Sequence, residues 1–273
     1  MSLPPAAAAF DAVAERFDDR YGAWKSVAAQ RRAVRAALTE AFEPGARILE
    51  LGGGTGEDAQ WLAEQGREVL LTDVSPAMVR IAARKLRGLG LPEPMVSGAE
   101  QLESIADAVS GQFDGAFTNF AALNCVTDLD AVRRGLARLV RPGGRVLLVV
   151  FGIYTPGEWL VQLLRGDPRA AFRRFRHGDV EARLGGKEFV VRYHRSSDLA
   201  KALAPSFELR GRRGVGVFVP PSAAEPWISG HEALLSVLEQ LDRLASRPLA
   251  IFGDHILYEF ERTPVNRVSV GVE

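Results

Sequence analysis

A glycine-rich loop between an apolar strand and a helix limits this chain to few folds. The run ILEL at residues 48–51 is followed by GGGTG at residues 52–56, and a helical pattern begins at Glu57. Glycine permits a positive φ angle and leaves the backbone open to the close approach of a ligand. A plain strand-to-helix turn rarely needs four glycines in five positions, so the loop predicts a ligand site in an α/β fold.

Strand-like and helical patterns alternate along the first half of the chain. A helical pattern covers residues 10–42, and strand-like runs follow at residues 47–51, 68–73, near 94–97, 113–119 and 145–151. Apolar strands separated by helices are typical of a parallel sheet covered on both faces. After residue 152 the pattern changes to short helices, a hairpin signal at Gly185-Gly186 and a last strand at residues 255–261.

Composition and charge exclude several classes of protein. The 273 residues include 34 Lys and Arg and 34 Asp and Glu, so a globally basic nucleic-acid-binding protein is disfavoured. The single cysteine, Cys125, excludes an intramolecular disulfide and a cysteine-based zinc site. The N-terminus has no basic segment of the signal-peptide type, and the longest apolar run, residues 146–154, is far short of the ~20 residues of a spanning helix. We therefore expect a cytoplasmic protein with no membrane contact.

The residues around the loop indicate a nucleoside-like ligand without phosphate. A dinucleotide-binding loop would need a third glycine where this sequence has Glu57, and no Gly-Lys-Ser/Thr follows for a phosphate-binding loop. Glu57 and Asp58 also place negative charge at a helix N-terminus, where it would repel a phosphate. Asp73 ends the second predicted strand at the ligand-binding edge of such a sheet, where its carboxylate can accept hydrogen bonds from a ribose diol.

The pattern Glu50-x-Gly52-x-Gly54-x-Gly56 with Asp73 resembles the S-adenosylmethionine site of class I methyltransferases. Residues 134–150 are similar to the helix, Pro-Gly-Gly turn and fifth strand of that family, and the resemblance extends over residues 16–151. It implies an α/β fold: a doubly wound, mostly parallel seven-stranded sheet with helices on both faces and a reversed last strand. Because the sequence contains no linker, we also expect one domain over residues 1–273.

Within that domain, we expect an N-terminal helical cap at residues 1–45, a cofactor-binding core at 46–152 and a C-terminal half at 153–273. The C-terminal half would carry inserted elements after strands 5 and 6, which could cover the cofactor cleft and exclude water as lids do.

The resemblance also implies the residues that bind the cofactor. Gly52 and Gly54 would lie against its methionine part, Asp73 against the ribose, and Val74 with Met78 against the adenine. The adenine edge would be read by backbone groups of Ala99 or by Glu100, because Gly98 stands where the family often has an acid. Asn119 and Phe120 would border the amino-acid tail and the methyl group. The full set expected to bind the cofactor is Tyr21, Glu50, Gly52, Gly53, Gly54, Gly56, Asp73, Val74, Met78, Ala99, Glu100, Asn119 and Phe120.

Three functions agree with the sequence. The first is a transferase that methylates oxygen, nitrogen or carbon of a small-molecule acceptor. The second is an RNA or protein methyltransferase, because residues 165–213 carry 13 Lys and Arg against six acids. The third is a protein that binds the cofactor without catalysis. We favour the first, because no RNA-binding module accompanies the basic stretch and charged runs are usually solvated faces.

No catalytic residue is assigned from the sequence. Methyl transfer needs a general base only when the nucleophile arrives protonated. The four histidines, His177, His194, His231 and His255, are candidate bases, and none pairs with another at metal-ligand spacing.

Overall fold

The N-terminal segment forms separate short helices before the sheet begins. The computed structural model describes residues 3–120, 122–176 and 178–264. Helices α1 (Pro5–Asp11), α2 (Phe17–Gly22) and α3 (Lys25–Ala41) replace the continuous helical pattern expected over residues 10–42. The chain turns before α3 because Trp24 is extended (φ −87°, ψ 110°). This break allows α1 and α2 to lie over the sheet edge while α3 packs along its face.

The first half of the chain is a regular α/β alternation. Its elements are β1 (Arg47–Leu51), α4 (Glu57–Glu64), β2 (Glu68–Asp73), α5 (Pro76–Leu86), β3 (Met95–Val96), α6 (Leu102–Ala106), β4 (Phe113–Thr118), α7 (Leu129–Leu139) and β5 (Val140–Phe151). The N-terminus of helix α5 is fixed by its first residues. Ser75 caps the helix, since its Oγ accepts a hydrogen bond from Met78 N (3.2 Å), and Pro76 takes the first helical position.

The second half adds helices and a hairpin between the last strands. Its elements are α8 (Pro156–Leu164), α9 (Pro168–Ala171), β6 (Asp179–Leu184), β7 (Lys187–Arg192), α10 (Ser196–Leu203), β8 (Phe207–Val215), α11 (Glu232–Ala245) and β9 (His255–Arg262). Strands β6 and β7 pair with each other across Gly185 and Gly186, as the sequence predicts.

Seven strands form the central sheet in the order β3-β2-β1-β4-β5-β9-β8. Strands β1 to β5 are parallel, and β9 runs antiparallel between β5 and β8. Neighbouring residues of β1 enter opposite cores: Ile48 packs with Leu38 of α3, whereas Leu49 packs with Leu136 of α7. The expected fold class, a mostly parallel seven-stranded sheet covered on both faces, is confirmed.

Helix α1 and the β6–β7 hairpin pack against each other near the carboxyl ends of the strands. Phe10 and Phe189 have ring centroids 5.9 Å apart, and Ala9 is fully buried beside them. Helix α1 and the β6–β7 hairpin therefore cover the edge of the sheet at which the glycine-rich loop lies.

In the part of the chain that the structure describes, no helix has the length and apolar character needed to span a membrane.

Candidate functional site

A cavity of about 500 Å³ lies at the carboxyl ends of β1, β2, β4 and β5. Twelve of the thirteen predicted cofactor residues line it: Tyr21, Glu50, Gly52, Gly53, Gly54, Asp73, Val74, Met78, Ala99, Glu100, Asn119 and Phe120. Phe10 and Phe17 from the N-terminal segment, and Leu184 and Phe189 from the hairpin, complete its walls. Open α/β sheets bind ligands at this edge.

The glycine-rich loop runs along the floor of the cavity. A Cβ at Gly52 would lie 2.3 Å from Ala122 Cβ, and a Cβ at Gly53 would lie 2.6 Å from the Leu71 side chain, so both positions exclude a larger residue. Gly54 has φ +56° and nothing within 4 Å of its Cβ position, which opens on the cavity. Gly54 therefore leaves space that a ligand can occupy.

Gly56 is the residue of the predicted cofactor-binding set that does not line the cavity. It adopts φ +85° as the residue that begins α4, and a Cβ there would lie 3.3 Å from Ala82 Cβ. Its glycine is required by the turn and by the close packing of α4 on α5. The sequence pattern does not separate these two uses of a glycine.

Asp73 is 8% exposed and shapes the loop while facing the cavity. Its Oδ2 accepts a hydrogen bond from Gly54 N (2.9 Å), and its Oδ1 accepts one from Ser75 N (2.8 Å). Burial raises the pKa of Asp73, and the backbone N–H groups of Ser75, Gly54 and Val74 oppose that rise. Each carboxylate oxygen keeps a second lone pair, so a ribose diol fits here.

Glu50 places a buried acid behind the loop. It is 2% exposed, and its Oε2 has no hydrogen-bond partner in the described part of the chain. Burial, followed by the charge of Asp58, raises the pKa of Glu50 well above its usual range, against the opposing charges of Arg31 and Arg35. A cationic ligand group in the cavity would offset this cost, and a sulfonium cofactor with an amino-acid tail fits that requirement.

The predicted adenine side contains one apolar and one polar part. Met78 is 1% exposed and lines the cavity with Val74. Glu100 uses Oε1 to accept hydrogen bonds from Thr127 N (2.7 Å) and Asp128 N (2.6 Å). That carboxylate oxygen holds the turn before α7, and both Ala99 and Glu100 line the cavity.

Asn119 and Phe120 are held where β4 ends. Asn119 Nδ2 donates to Asp58 Oδ2 (2.7 Å), and Asn119 Oδ1 accepts from Phe120 N (2.8 Å). Asp58 also pairs with Arg31 (2.9 Å) and Arg35 (2.8 Å) of α3. Phe120 has φ +44°, a left-handed conformation that is unusual for an aromatic residue and marks a constrained site.

The N-terminal cap is tied to the loop by hydrogen bonds. Thr55 Oγ1 donates to Asp18 Oδ1 (2.5 Å), and Asp11 Oδ1 accepts from Ser75 Oγ (2.8 Å). Tyr21 lines the cavity with its ring 4.7 Å from that of Phe17, centroid to centroid. These contacts position α1 and α2 as a roof over the cavity.

Of the candidate bases, His255 lines the cavity. His194 Nε2 lies 3.3 Å from Leu123 O, and burial lowers the pKa of His194, but neither His194 nor His231 borders the cavity. His177 lies outside the described residues. Among the described residues no three His, Cys, Asp or Glu side chains are grouped to hold a metal ion.

Sequence reasoning did not place Gln30 or Asp254 at this site, although both line the cavity. They come from α3 and from the residue before β9, far apart in the chain. No motif connects them, so only the folded topology reveals that they meet.

Part of the basic stretch 165–213 is paired with acids of the same chain. Arg174 is 4% exposed and pairs with Asp254 (2.6 Å). Arg192 pairs with Asp179 (2.5 Å) and Arg213 with Glu259 (2.6 Å). Several of its cations therefore serve the fold, and Arg174 is inaccessible to a large anionic partner.

Comparison with known proteins identifies the central segment. Residues 48–144 match the family described as "Methyltransferase domain". The ubiquinone/menaquinone biosynthesis C-methyltransferase UbiE of Edwardsiella ictaluri is 36% identical over 114 residues, which are 39% of this chain and 43% of that protein. This chain therefore spans less than half the length of the curated relatives it matches.

Two solved structures share the fold. An S-adenosylmethionine-dependent methyltransferase of Methanosarcina mazei is 20% identical with a TM-score of 0.54, over 83% of this chain and 97% of that one. A putative enzyme of the same description from Listeria monocytogenes is 14% identical with a TM-score of 0.58, over 88% of this chain and 99% of that one.

The sheet order, the cavity and the matched segment together define a class I methyltransferase domain. Residues 48–144 of this chain belong to such a domain, and the resemblance seen in the sequence is confirmed over that segment.

Proposed function

We propose that this protein transfers the methyl group of S-adenosylmethionine to a small-molecule acceptor. The observation that carries the proposal is the composition of the cavity. One side has the glycine-rich loop, Glu50 and Asp73, and the other side is aromatic and apolar, with Phe120, Phe151 and Phe189. A concave, mostly apolar pocket with a few placed polar groups is typical of small-molecule sites.

The chain's own residues would bind and orient the reactants. Asp73 would hold the ribose diol of the cofactor. The open space at the Gly54 Cβ position would admit the methionine part, and Glu50 would face the positive charge of the cofactor. The bound cofactor supplies an electrophilic methyl group. Transfer by in-line displacement depends above all on alignment, which the fixed Asn119 and Phe120 backbone provides at the centre of the cavity.

The N-terminal cap and the hairpin would exclude water from the reaction. Residues 1–45 contribute Phe10, Phe17 and Tyr21 to the roof, and the C-terminal half contributes Leu184 and Phe189. We therefore propose one functional domain, in which the cap and the C-terminal additions select the acceptor around the core at 46–152. The names of the curated relatives, which refer to C-methylation in quinone biosynthesis, agree with an apolar ring as acceptor.

The partial pairing of the basic stretch, with Arg174 buried, supports a small molecule over RNA. Nucleic-acid binding through many phosphate contacts would lower log K by about 0.7–0.9 per contact for each decade of salt. We expect weak RNA binding with a shallow salt slope and no label in RNA.

The experiment combines a binding and a transfer measurement. Calorimetry should show binding of S-adenosylmethionine and S-adenosylhomocysteine and none of NAD. Labelled cofactor is then incubated with metabolite, RNA and protein fractions, and the products are identified by mass spectrometry. Tighter binding of NAD, or label in RNA with steep salt-dependent RNA binding, would refute the proposal.

A further inference from the structure

We infer that His255 is the general base of the methyl transfer proposed above, and that the acceptor is a hydroxyarene whose O–H meets the Nε2 atom of His255. This inference rests on the proposed function and extends it to a base and to an acceptor class.

His255 forms part of the cavity wall between two aromatic rings. It is the first residue of β9 and is 7% exposed. Its ring stacks on Phe151 (centroids 5.1 Å apart, 29° between planes) and meets Phe120 edge-on (5.6 Å, 81°). Phe120 follows Asn119 at the end of β4, where the transferred methyl group is expected. The imidazole therefore lies beside the reaction centre.

A buried carboxylate fixes the tautomer of His255 through Gln30. Asp254 Oδ2 lies 3.2 Å from Gln30 Nε2, and a carboxylate can only accept, so the Gln30 amide nitrogen must face Asp254. Gln30 Oε1 then faces His255 Nδ1 at 3.1 Å and requires a proton there. The lone pair of the neutral imidazole is consequently assigned to Nε2.

Arg174 keeps Asp254 ionised inside the protein. Arg174 Nη2 lies 2.6 Å from Asp254 Oδ1, and Arg174 Nη1 donates to the backbone oxygens of Gly152 (3.0 Å) and Asp254 (2.7 Å). Burial alone would raise the pKa of Asp254, but the charge of Arg174, together with the hydrogen bonds from Arg174 and Gln30, outweighs it and holds that pKa below its usual value. Glu158 pairs with the same Arg174 and completes the buried network.

His255 is neutral and able to take a proton, chiefly because it is buried. Burial is the largest influence and lowers the pKa of His255, the Asp254 carboxylate acts to raise it, and Arg174 acts to lower it. Once protonated, the ring would lie with Nδ1 3.4 Å from Asp254 Oδ2, which stabilises the imidazolium. The guanidinium carbon of Arg31 lies over Phe120, 4.9 Å from the ring centroid, and Arg183 also lines the cavity.

The Nε2 atom is available to a ligand. In the described part of the chain it has no hydrogen-bond partner, and it is not among the buried polar atoms that are sealed from solvent. His255 borders the cavity, so Nε2 opens on it. The atom that carries the lone pair is thus the atom that an acceptor can reach.

The side chains around His255 favour a flat apolar acceptor with one ionisable hydroxyl. Phe120 and Phe151 flank the imidazole, and Leu184 with Phe189 covers the same cavity from the hairpin. Aromatic walls of this kind bury a ring, and a buried hydroxyl needs a hydrogen-bond acceptor such as Nε2. A hydroxyarene satisfies both requirements.

The step balances without any further reactant. The acceptor O–H bond breaks and its proton moves to Nε2 of His255. A lone pair of the acceptor oxygen forms the O–CH₃ bond while the S–CH₃ bond of the sulfonium breaks and leaves its electron pair on sulfur. The imidazolium then releases the proton to water when the product leaves.

The first test measures the tautomer directly and does not depend on turnover. Long-range ¹H–¹⁵N correlation spectra of the ¹⁵N-labelled protein bound to S-adenosylhomocysteine are assigned by the loss of one ring signal in His255→Asn. At pH 7 we expect a neutral ring with the proton on Nδ1, and mixed tautomers in Gln30→Met, which lacks the positioning oxygen. A proton on Nε2, or an imidazolium at pH 7, would overturn the inference.

The second test separates a base from a structural residue. The substrates are phenol and naphthols, each compared with a nitrated counterpart that is ionised at the assay pH. His255→Asn should lower kcat by about 100-fold or more for the protonated arenes and leave the ionised ones unchanged, since general-base catalysis contributes about 10²–10⁴-fold. The exposed His231 provides the control, because His231→Asn should change neither series.

The outcomes are distinguishable. Equal losses for both series, or no loss for the protonated arenes, would overturn the role of His255. Cofactor binding without methylation of any hydroxyarene would overturn the acceptor class alone. Absence of cofactor binding would instead refute the proposed function on which the inference rests.

Discussion

Replacement of Gly54 tests whether the glycine-rich loop holds the cofactor. Gly54 has φ +56°, and nothing lies within 4 Å of its Cβ position. The Gly54→Ala substitution should therefore lower the free energy of unfolding only by the cost of holding alanine in a left-handed conformation, about 1–2 kcal/mol. The added methyl group would occupy space meant for the ligand, so we expect an affinity loss of at least about 100-fold, or roughly 2.8 kcal/mol. Gly54→Val should abolish binding.

Gly45→Ala provides a matched control for this experiment. Gly45 has φ +87° and also has nothing within 4 Å of its Cβ position, but it does not line the cavity. Both alanine variants should lower the unfolding temperature by about 2–4 °C per kcal/mol, and only Gly54→Ala should lose affinity for S-adenosylhomocysteine in calorimetry. If Gly54→Val folds and binds the cofactor as the wild type does, Gly54 does not border the ligand and our placement of the loop is wrong.

Three further predictions follow from buried charges. Asp73→Ala should weaken cofactor binding by roughly 1.5–3 kcal/mol in calorimetry, since hydrogen bonds to a charged group are lost; unchanged affinity would exclude a ribose contact. Burial, followed by Asp58, raises the pKa of Glu50, so the folded state binds a proton more tightly than the unfolded state. The stability of the ligand-free protein should therefore fall as the pH rises above the usual carboxyl range, and Glu50→Gln should remove that dependence in urea unfolding at pH 5 and 8; an identical pH dependence in the variant would refute this. Arg174→Met should cost about 3–5 kcal/mol because Asp254 and its partners stay buried and unpaired, whereas the half-exposed Arg173→Ala should cost about 1 kcal/mol or less; equal effects in thermal unfolding would contradict the buried network.

Local sequence patterns predict most of the helices and strands of the fold. The alternation of apolar strands with helices predicts β1 to β5 and the reversed β9, because each strand is short, apolar and bounded by turn residues. The interruption of the first helical pattern was not predicted, since Gly22 and Trp24 break a helix through backbone conformation and not through hydrophobic periodicity. Alanine-rich sequence keeps the helical pattern on both sides of the break.

The sequence could predict that the glycine-rich loop and Asp73 lie together, because they are close in sequence. Gly54 and Asp73 lie on consecutive strand–loop–helix units, and the parallel sheet brings their loops together, as the 2.9 Å hydrogen bond between them demonstrates. Gly56 shows the limit of this reasoning, because a loop pattern contains both glycines that face a cavity and glycines that face a neighbouring helix. Only the packing against Ala82 distinguishes them.

The acceptor side depends on contacts that no local pattern contains. Gln30 on α3 and His255 on β9 are hydrogen-bonded partners although 225 residues separate them in the chain. Phe189 reaches the cavity from the hairpin, which is itself not part of the central sheet. None of these three residues lies in the segment 48–144 that matches the methyltransferase family. Similarity within that segment therefore supports the expected cofactor-binding residues of this chain. It says nothing about the acceptor, whose choice we expect to depend on the residues that surround His255.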